Sequence, residues 1–492
     1  MKPIDQLVLV LDAGTTSTRA MAFDRSGTMV AVAQRDLVQY YPRPGWVEHD
    51  ATEIWEATLA MARAVVTQCG GASRFACIGI TNQRETVVAW DRTSGEPLYR
   101  ALVWQDRRTA DACTALRSAG YEEVVQQTTG LVLDPYFSAT KMRWLFDNVP
   151  EVRAAAGAGR LCFGTVESWL AFKLTGGAYL TDAANASRTS LMRLGGMDWD
   201  DGLCSLFGVP SSTLPEIVDN AGDFGVSAPA HFGAPIPLTG MIGDQQSATI
   251  GQGCLAYGDT KATYGTGAFV LANMGENLPC SRHRLLGTVL CQMSKQRIYA
   301  LEGSVFVAGS LVQWLRDGLG LIGASAETEV IARSVPDSGE VVIVPALSGL
   351  GAPHWRPDAR AAITGMSFAT TRAHIVRAAL EAIACQTRDL AEAFAADGVV
   401  WRSLRIDGGM SANNWIAQDL ADILDLKVER PAFVETTALG AAMLAGVGAS
   451  LFSSLEEAAR AMRGKVRRFR SQMDKDKRAA RLALWDKAIA DL

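Results

Sequence analysis

Four short stretches of the 492-residue chain combine glycine with hydroxyl and carboxylate or amide side chains: Asp12–Arg19, Gly243–Gln246, Tyr264–Gly267 and Asp407–Asn413. In the first, Thr15, Thr16, Ser17 and Arg19 bring hydroxyls and a guanidinium close to one carboxylate, Asp12. Backbone N–H, hydroxyl and guanidinium groups suit a polyphosphate, and the carboxylate suits its cation or the cation's waters. Gly14 is expected to allow a backbone conformation that a Cβ would disfavour. An ordinary hairpin with a polar turn satisfies this stretch equally well. A single Asp-Gly or Gly-Gly is usually just a turn. Four such stretches, two in each half, suit a nucleotide held in a cleft between two related domains. None is a Walker A loop.

Phosphoryl transfer needs backbone donors for the phosphates, a metal, and a carboxylate to take the acceptor's proton. Asp12 is the candidate for the metal. Asp244, in what reads as a flexible Gly-Asp-Gln-Gln turn, is the candidate base, with a turn-capping role as the plain alternative. Arg84 beside Glu85 sets a donor fork next to an acceptor, which suits adjacent hydroxyls of a polyol or, equally, a surface ion pair. Trp104 and Phe269, at strand–loop junctions, are candidates to wall the carbon side of that polyol, although core packing is the commoner role for either.

The elements that would position these residues follow from periodicity. Leu7–Arg19 reads as strand, turn and strand, with a third strand at Thr28–Ala33. Asp50 and Glu53 form a capping-box pattern ahead of a helix whose face is Ile54, Trp55, Thr58, Leu59, Ala62, Val65 and Val66, ended by Gly70. Strands are expected at Ala76–Ile80, Val87–Trp90 and Leu102–Trp104, and one at Ile236 leads into a polar loop through Gln246. Lys261–Leu271 repeats strand, Gly-Thr-Gly turn and strand, which suggests internal duplication. Helical periodicity marks Val305–Leu315 and His374–Phe394. A strand at Leu404–Ile406 enters the Asp407 loop, and a Gly/Ala-rich helix spans Thr437–Ala445. The segment from Val466 onward, with the basic run Lys465–Arg470, reads as a peripheral charged helix. The boundary near Gln246–Gly253 divides the chain into residues 1–248 and 249–492.

Composition narrows the function classes. Hydrophobic residues make up 48% and charged residues 20%, ordinary values for a globular enzyme. A net charge of −5 argues against a dedicated nucleic-acid binder. Nine scattered cysteines without a C-x-x-C, and five histidines without an H-E-x-x-H pair, argue against a disulfide framework or a zinc site and fit a reducing cytoplasm. Asp5 interrupts any signal-peptide core, and no apolar run approaches the ~18 residues of a membrane span.

The stretches LDAGTTSTRA, YPRPGWVEHD, IGITNQRETVVAW, LVWQDRRTA, TDAANASRT, GDQQSA, TYGTGAF, ALEGSVFVAGS, GLGAPHW and IDGGMSANN occur in order. With them the chain resembles the FGGY carbohydrate kinases over roughly residues 5 to 450. NQRET, DPYFS and GDQQ point to the branch acting on glycerol. The resemblance implies an α/β fold of two RNase-H-like domains of the actin/hexokinase/Hsp70-like ATPase type, flanking a cleft. It implies ATP-dependent phosphorylation of glycerol to sn-glycerol 3-phosphate in the cytoplasm, by a homodimer or homotetramer. Arg84, Glu85, Tyr136, Asp244 and Gln245 would hold glycerol, with Trp104 and Phe269 along its carbons and Asp244 as general base. Thr15, Thr16, Ser17 and Arg19 would face the phosphates. Thr266, Gly309, Gln313, Gly409 and Asn413 would complete the nucleotide site. Asp12 and Asp244 would hold Mg²⁺, largely through water.

The chain departs from the family pattern at Ala13, at Met410-Ser411 and at Ala228–Pro235, which lacks the family's fructose 1,6-bisphosphate loop. His231 stands near the place of a phosphorylated regulatory histidine in some relatives. The competing readings are another polyol or ketose kinase of the family, an actin/Hsp70-like ATPase acting as a binding protein, and an aspartic protease suggested by Asp-Ala-Gly-Thr. The helix-rich pattern counts against the last.

Overall fold

The computed structural model describes residues 6–305, 307–354, 356, 358–433 and 435–492. Asp5, Phe306 and Trp355, which figure in the sequence reading, lie outside the described residues. Two mixed sheets dominate. In chain order the first uses β1 (Leu7–Ala13), β2 (Ser17–Phe23), β3 (Met29–Asp36), β4 (Phe75–Asn82) and β5 (Leu238–Gly243), with helix α1 (Ala51–Gln68) between β3 and β4 and α2 (Asp244–Gly251) directly after β5. The second uses β6 (Asp259–Tyr264), β7 (Ala268–Gly275), β8 (Leu286–Met293), β9 (Gln296–Val305), β10 (Ser403–Asp407), β11 (Val428–Pro431) and β12 (Val466–Phe469). The second half of the chain also supplies helices α3 (Gly309–Asp317), α4 (Glu327–Arg333), α5 (Arg372–Ala396), α6 (Asn414–Leu424), α7 (Thr436–Gly448) and α8 (Lys475–Ala490).

The duplication suggested by one echoed turn extends through both sheets. The first runs β3-β2-β1-β4-β5, and the second contains β9-β7-β6-β10-β11. In each, three antiparallel strands are followed by two parallel ones. β8 and β12 extend the second sheet at its two edges.

β1 reads as an unbroken apolar run because both of its faces are covered. Leu7, Leu9 and Leu11 join the cluster that includes Ile54 and Val65 of α1, while Val8 and Val10 join one that includes Ala441 and Ala445 of α7. α7 therefore comes from the second half of the chain and packs on the first sheet and on α2. Its small residues make this possible: a Cβ at Gly440 would overlap the Ser247 carbonyl, and one at Gly251 the Thr436 carbonyl. The chain passes from one sheet to the other through α2, and residue 248 falls inside that helix.

Several expectations are corrected. The polar loop expected through Gln246 is the start of α2, and Asp244 is its first residue rather than part of a flexible turn. The helical segment expected at Val305–Leu315 is the end of β9 followed by α3. Val466–Phe469 is an edge strand, so the run Lys465–Arg470 is not a helix face, and α8 begins only at Lys475. Val466 and Phe469 stand three apart, a helical rather than an alternating spacing, so this short edge strand shows no period of two in the sequence. Asp50 does cap α1, accepting from Thr52 and Glu53 N–H, but the Glu53 carboxylate takes the Val38 N–H instead of closing a box. Gly14 has no positive φ; it admits the close Ser17 carbonyl, which accepts its N–H at 3.0 Å.

Candidate active site

β1, β4, β5 and β6 all end at one cleft, and each delivers polar residues from its last position or the turn after it. β4 ends at Asn82 and leads to Arg84 and Glu85. Glu85 has φ 61°, and the Thr86 N–H closes a three-residue turn on the Arg84 carbonyl at 2.8 Å. Strained turns of this kind concentrate at functional sites. Here the turn aims both side chains into the protein, where they are buried.

Arg84 is the hub. Its Nη1 donates to Glu302 Oε2 at 2.6 Å and its Nη2 to Glu302 Oε1 at 3.2 Å. Nη1 also reaches Gln246 Oε1 at 3.3 Å, and Nη2 the Tyr136 hydroxyl at 3.4 Å. Its Nε lies 3.3 Å from Asp244 Oδ1. Arg188 completes a buried network, with Nε on Glu85 Oε1 at 2.6 Å and Nη2 on Glu302 Oε1 at 3.1 Å. Burial alone would raise the Glu302 carboxyl, but the Arg188 and Arg84 charges outweigh it and hold it at about 2.

Tyr136 is brought in by a turn that Lys141 fixes. This buried ammonium donates to the carbonyls of Pro135, Tyr136 (2.9 Å) and Phe137 (3.3 Å). Trp104 meets the Tyr136 ring edge-on at 5.5 Å, and its Nε1 donates to Thr15 Oγ1 at 3.0 Å, so the aromatic wall touches the first polar turn. Gln245 is held by buried Lys261, whose Nζ donates to Gln245 Oε1 and Thr263 Oγ1, both at 2.8 Å. With its oxygen engaged, the Gln245 amide keeps N–H groups to offer elsewhere. Phe269, on β7, is paired with Thr263 of β6 and Ser304 of β9 and is partly exposed.

Asp244 remains 30% open along its side chain. Burial pushes its carboxyl up to about 6, against Arg84 and with Glu85 adding to the rise. Burial also raises Asp12 to about 6, opposed by Arg19 and reinforced by Asp244 and Glu435. Asp12 Oδ2 is buried without a hydrogen-bond donor, with the Arg19 Nη2 at 3.1 Å. Arg19 Nη1 bonds Glu435 Oε2 at 2.5 Å. Two carboxylates raised by burial, of which Asp12 is raised further by Asp244 and has an oxygen that accepts no hydrogen bond, fit a hard divalent cation whose remaining ligands are water and phosphate oxygens. Among the described residues no group of three His, Cys, Asp or Glu side chains could hold a metal alone.

Across the cleft a cavity of about 450 Å³ is lined by Thr266, Gly309, Gln313, Gly409 and Asn413, together with Ile416 and Met410. A Cβ at Gly309 would overlap the Gly265 carbonyl, so this approach of α3 to the Gly-Thr-Gly turn requires glycine. Asn413 also caps α6, accepting from Trp415 and Ile416 N–H at 2.8 and 3.2 Å. Ser17 begins β2, and Thr16 is exposed at the turn before it. Glu302, Arg188, Gln246 and Lys261 are the participants to which sequence reasoning assigned no role. Glu302, Arg188 and Lys261 stood in strands or quoted stretches, but nothing local shows that their charges converge. His231 makes no contact with this cleft. Its Nε2 meets the Lys173 carbonyl at 3.2 Å, and its ring packs edge-on against Trp55 at 5.2 Å.

Models of the FGGY family of carbohydrate kinases match almost the whole chain, the N-terminal domain over residues 7–251 and the C-terminal domain over 260–449. The chain belongs to the FGGY family of carbohydrate kinases. Among FGGY relatives, it is 55% identical to the glycerol kinase of Rhodospirillum rubrum, over 91% of each chain. It is 52% identical to the glycerol kinase of Rhodospirillum centenum, over 98% of this chain and 97% of that one. The fold matches the crystal structure of Plasmodium falciparum glycerol kinase with ADP at a TM-score of 0.95 and 39% identity, covering 99% of this chain and 98% of that one. A xylulose kinase from Lactobacillus acidophilus shares the FGGY fold at a TM-score of 0.88 and 19% identity, covering 98% and 96%. The chain thus has the two-domain α/β architecture of the FGGY kinases, related to actin and hexokinase.

Proposed function

We propose that this kinase transfers the γ-phosphoryl of ATP to a terminal hydroxyl of glycerol, giving sn-glycerol 3-phosphate. The observation that carries the reading is the compact polar cluster of Arg84, Glu85, Tyr136, Asp244 and Gln245, flanked by Trp104, in a chain half identical to glycerol kinases along nearly its full length. Phe269 stands on the neighbouring strand as the expected second wall. A three-carbon polyol offers three hydroxyls, which match one guanidinium edge, two carboxylates and one amide.

In this reading Asp244 accepts the proton of the attacking hydroxyl as the bond to phosphorus forms. Its value near 6 leaves it ionised at neutral pH yet basic enough to serve. Arg84 orients the acceptor, and its contact with Asp244 fixes the distance between the two. Thr15, Thr16, Ser17 and Arg19 donate to the phosphates from one side. Thr266, Gly309, Gln313, Gly409 and Asn413 wall the nucleoside end from the other. Mg²⁺, held by Asp12 and Asp244 largely through water, would neutralise phosphate charge. We assign residues 1–248 and 249–492 to the two domains, a division supported by the two similarly ordered sheets, and we place the enzyme in the cytoplasm, a reading that nine free cysteines support.

The deciding experiment is ADP release with glycerol as sole acceptor, compared with dihydroxyacetone, erythritol and xylulose. Glycerol should give the highest kcat/KM. A higher value for any four- or five-carbon acceptor would transfer the assignment to another sugar or polyol. ATP turnover independent of any acceptor, and unaffected by Arg84→Ala, would favour a non-kinase ATPase.

A further inference from the structure

The hairpin that closes the second sheet carries a charge pattern that the catalytic reading does not use. β11 and β12 run antiparallel, with Glu429 opposite Arg468 and Arg430 opposite Arg467. The first pair is complementary: Arg468 Nε donates to Glu429 Oε1 at 3.1 Å. The second sets two guanidinium groups directly across from one another, which destabilises a strand pair. Both lie against the Phe469 ring, 5.6 and 5.1 Å from its centre, and both donate to Asn414 Oδ1, at 3.0 and 2.8 Å. Neither they nor the neighbouring Lys465 makes an ion pair among the described residues. Burial, and then the Arg467 charge, hold Arg430 below its ordinary value, against the opposing charge of Glu329.

Edge strands carry charges that discourage pairing with other chains, but these three do more than decorate an edge. They line a groove of about 1050 Å³ together with Arg19 and Gly409 and with two carboxylates, Glu435, which Arg19 binds, and Asp407, which accepts from Gln252 and Thr436. Gly409 and Ala412 line both this groove and the nucleotide cavity.

We propose that Arg430, Lys465 and Arg467 form a second anion site, in the groove that they share with Arg19 and the loop from Asp407 to Ala412, for a group carrying two adjacent phosphoryls. Facing guanidiniums hold phosphate oxygens with paired N–H bonds, and Lys465 adds a mobile charge. The site is coupled to the nucleotide. Arg430 Nη1 donates to the carbonyls of Ser411 and Ala412 (3.0 Å to the latter), so it also holds the loop that carries Gly409 and Asn413. An anion between the arginines removes the repulsion across the hairpin, steadies that loop and tightens nucleotide binding. The nucleotide tightens the anion by the same factor.

The test is calorimetric and thermal titration of the whole protein with inorganic pyrophosphate while ADP saturates the nucleotide site. Pyrophosphate should bind in addition to ADP, raise the melting temperature and lower the ADP Kd by about fivefold or more. Arg467→Gln should abolish this response. Lys465→Gln, at an exposed position whose side chain makes no hydrogen bond or ion pair among the described residues, should weaken it without changing the melting temperature in the absence of pyrophosphate. Arg467→Glu, able to pair with Arg430, should melt higher than the parent without pyrophosphate and not respond to it. A second equivalent of ADP bound at the same residues would identify a nucleotide tail as the source of the phosphoryls, and pyrophosphate binding alone an inorganic one. The proposal is overturned if saturating ADP eliminates the pyrophosphate heat, or if Arg467→Gln and Lys465→Gln bind pyrophosphate as the parent does.

Discussion

At the scale of single residues, the site depends on carboxylates held in unusual states by their neighbours. Asp244→Asn keeps the shape and removes the base, so kcat should fall by roughly 10²–10⁴ in steady-state assays; a loss below tenfold would exclude Asp244 from that role. The ordinary Asp value of 3.8 is raised to about 6 at both Asp12 and Asp244. Ionisation is therefore disfavoured in the fold: these groups add stability below about pH 4, and that contribution is lost as pH rises through 6. The catalytic consequence has the opposite sense, because the base must be ionised. The kcat/KM for glycerol should fall on the acid side with an apparent value near 6, as Asp244 takes up its proton. Raising Mg²⁺ should move this limb to lower pH, since a cation favours the ionised carboxylates. A limb that does not respond to Mg²⁺ would remove Asp12 and Asp244 from the metal site.

At the scale of elements, the approach of α2 and α7 is set by what their side chains lack. Gly440 faces the Ser247 carbonyl and Gly251 the Thr436 carbonyl, so a methyl group at either position forces the helices apart. Gly440→Ala should destabilise the protein by about 1–3 kcal/mol, measured by denaturant unfolding. Because α2 begins at Asp244, the same variant should also lower kcat, while a change at the remote α1 cap, Asp50→Ala, should cost stability alone. The Gly/Ala pattern of α7 was legible in the sequence as a close-packing surface. What it packs against was not, because α7 closes on a sheet whose strands lie between Leu7 and Gly243, far earlier in the chain.

At the scale of the whole molecule, Glu302 joins the two halves. It lies on β9 of the second sheet, and its carboxylate is bound by Arg84 and Arg188 from the first half. Glu302→Gln leaves two buried guanidiniums short of a partner and should cost about 3–5 kcal/mol. In enzyme that remains folded it should raise the glycerol KM much more than the ATP KM, because Arg84 loses its anchor. Equal effects on both would assign Glu302 to stability alone. The cleft between the sheets is also where closure is expected: small-angle scattering should show a smaller radius of gyration with glycerol and a non-hydrolysable ATP analogue than with neither.

The residues that touch small molecules in this reading were largely legible without coordinates. Asp12, Arg84, Asp244 and the glycine turns announce themselves by local chemistry, since a turn that must bind phosphate uses the same few residue types wherever it stands. The strand–turn–strand echo at Lys261–Leu271 likewise showed a repeated unit, because its period is written in neighbouring residues. The tertiary structure alone decided how those pieces are held. Glu302, Arg188, Lys261 and Lys141 look like ordinary charges in sequence, and only the fold takes them out of water and sets each against partners as many as 218 positions away. It also turned Asp244 from a turn residue into the first residue of a helix, and the basic run at Lys465–Arg470 from a helix face into an edge strand. Burial and long-range pairing determine both the charge states at the cleft and the repulsion at Arg430 and Arg467, and neither has a local signature.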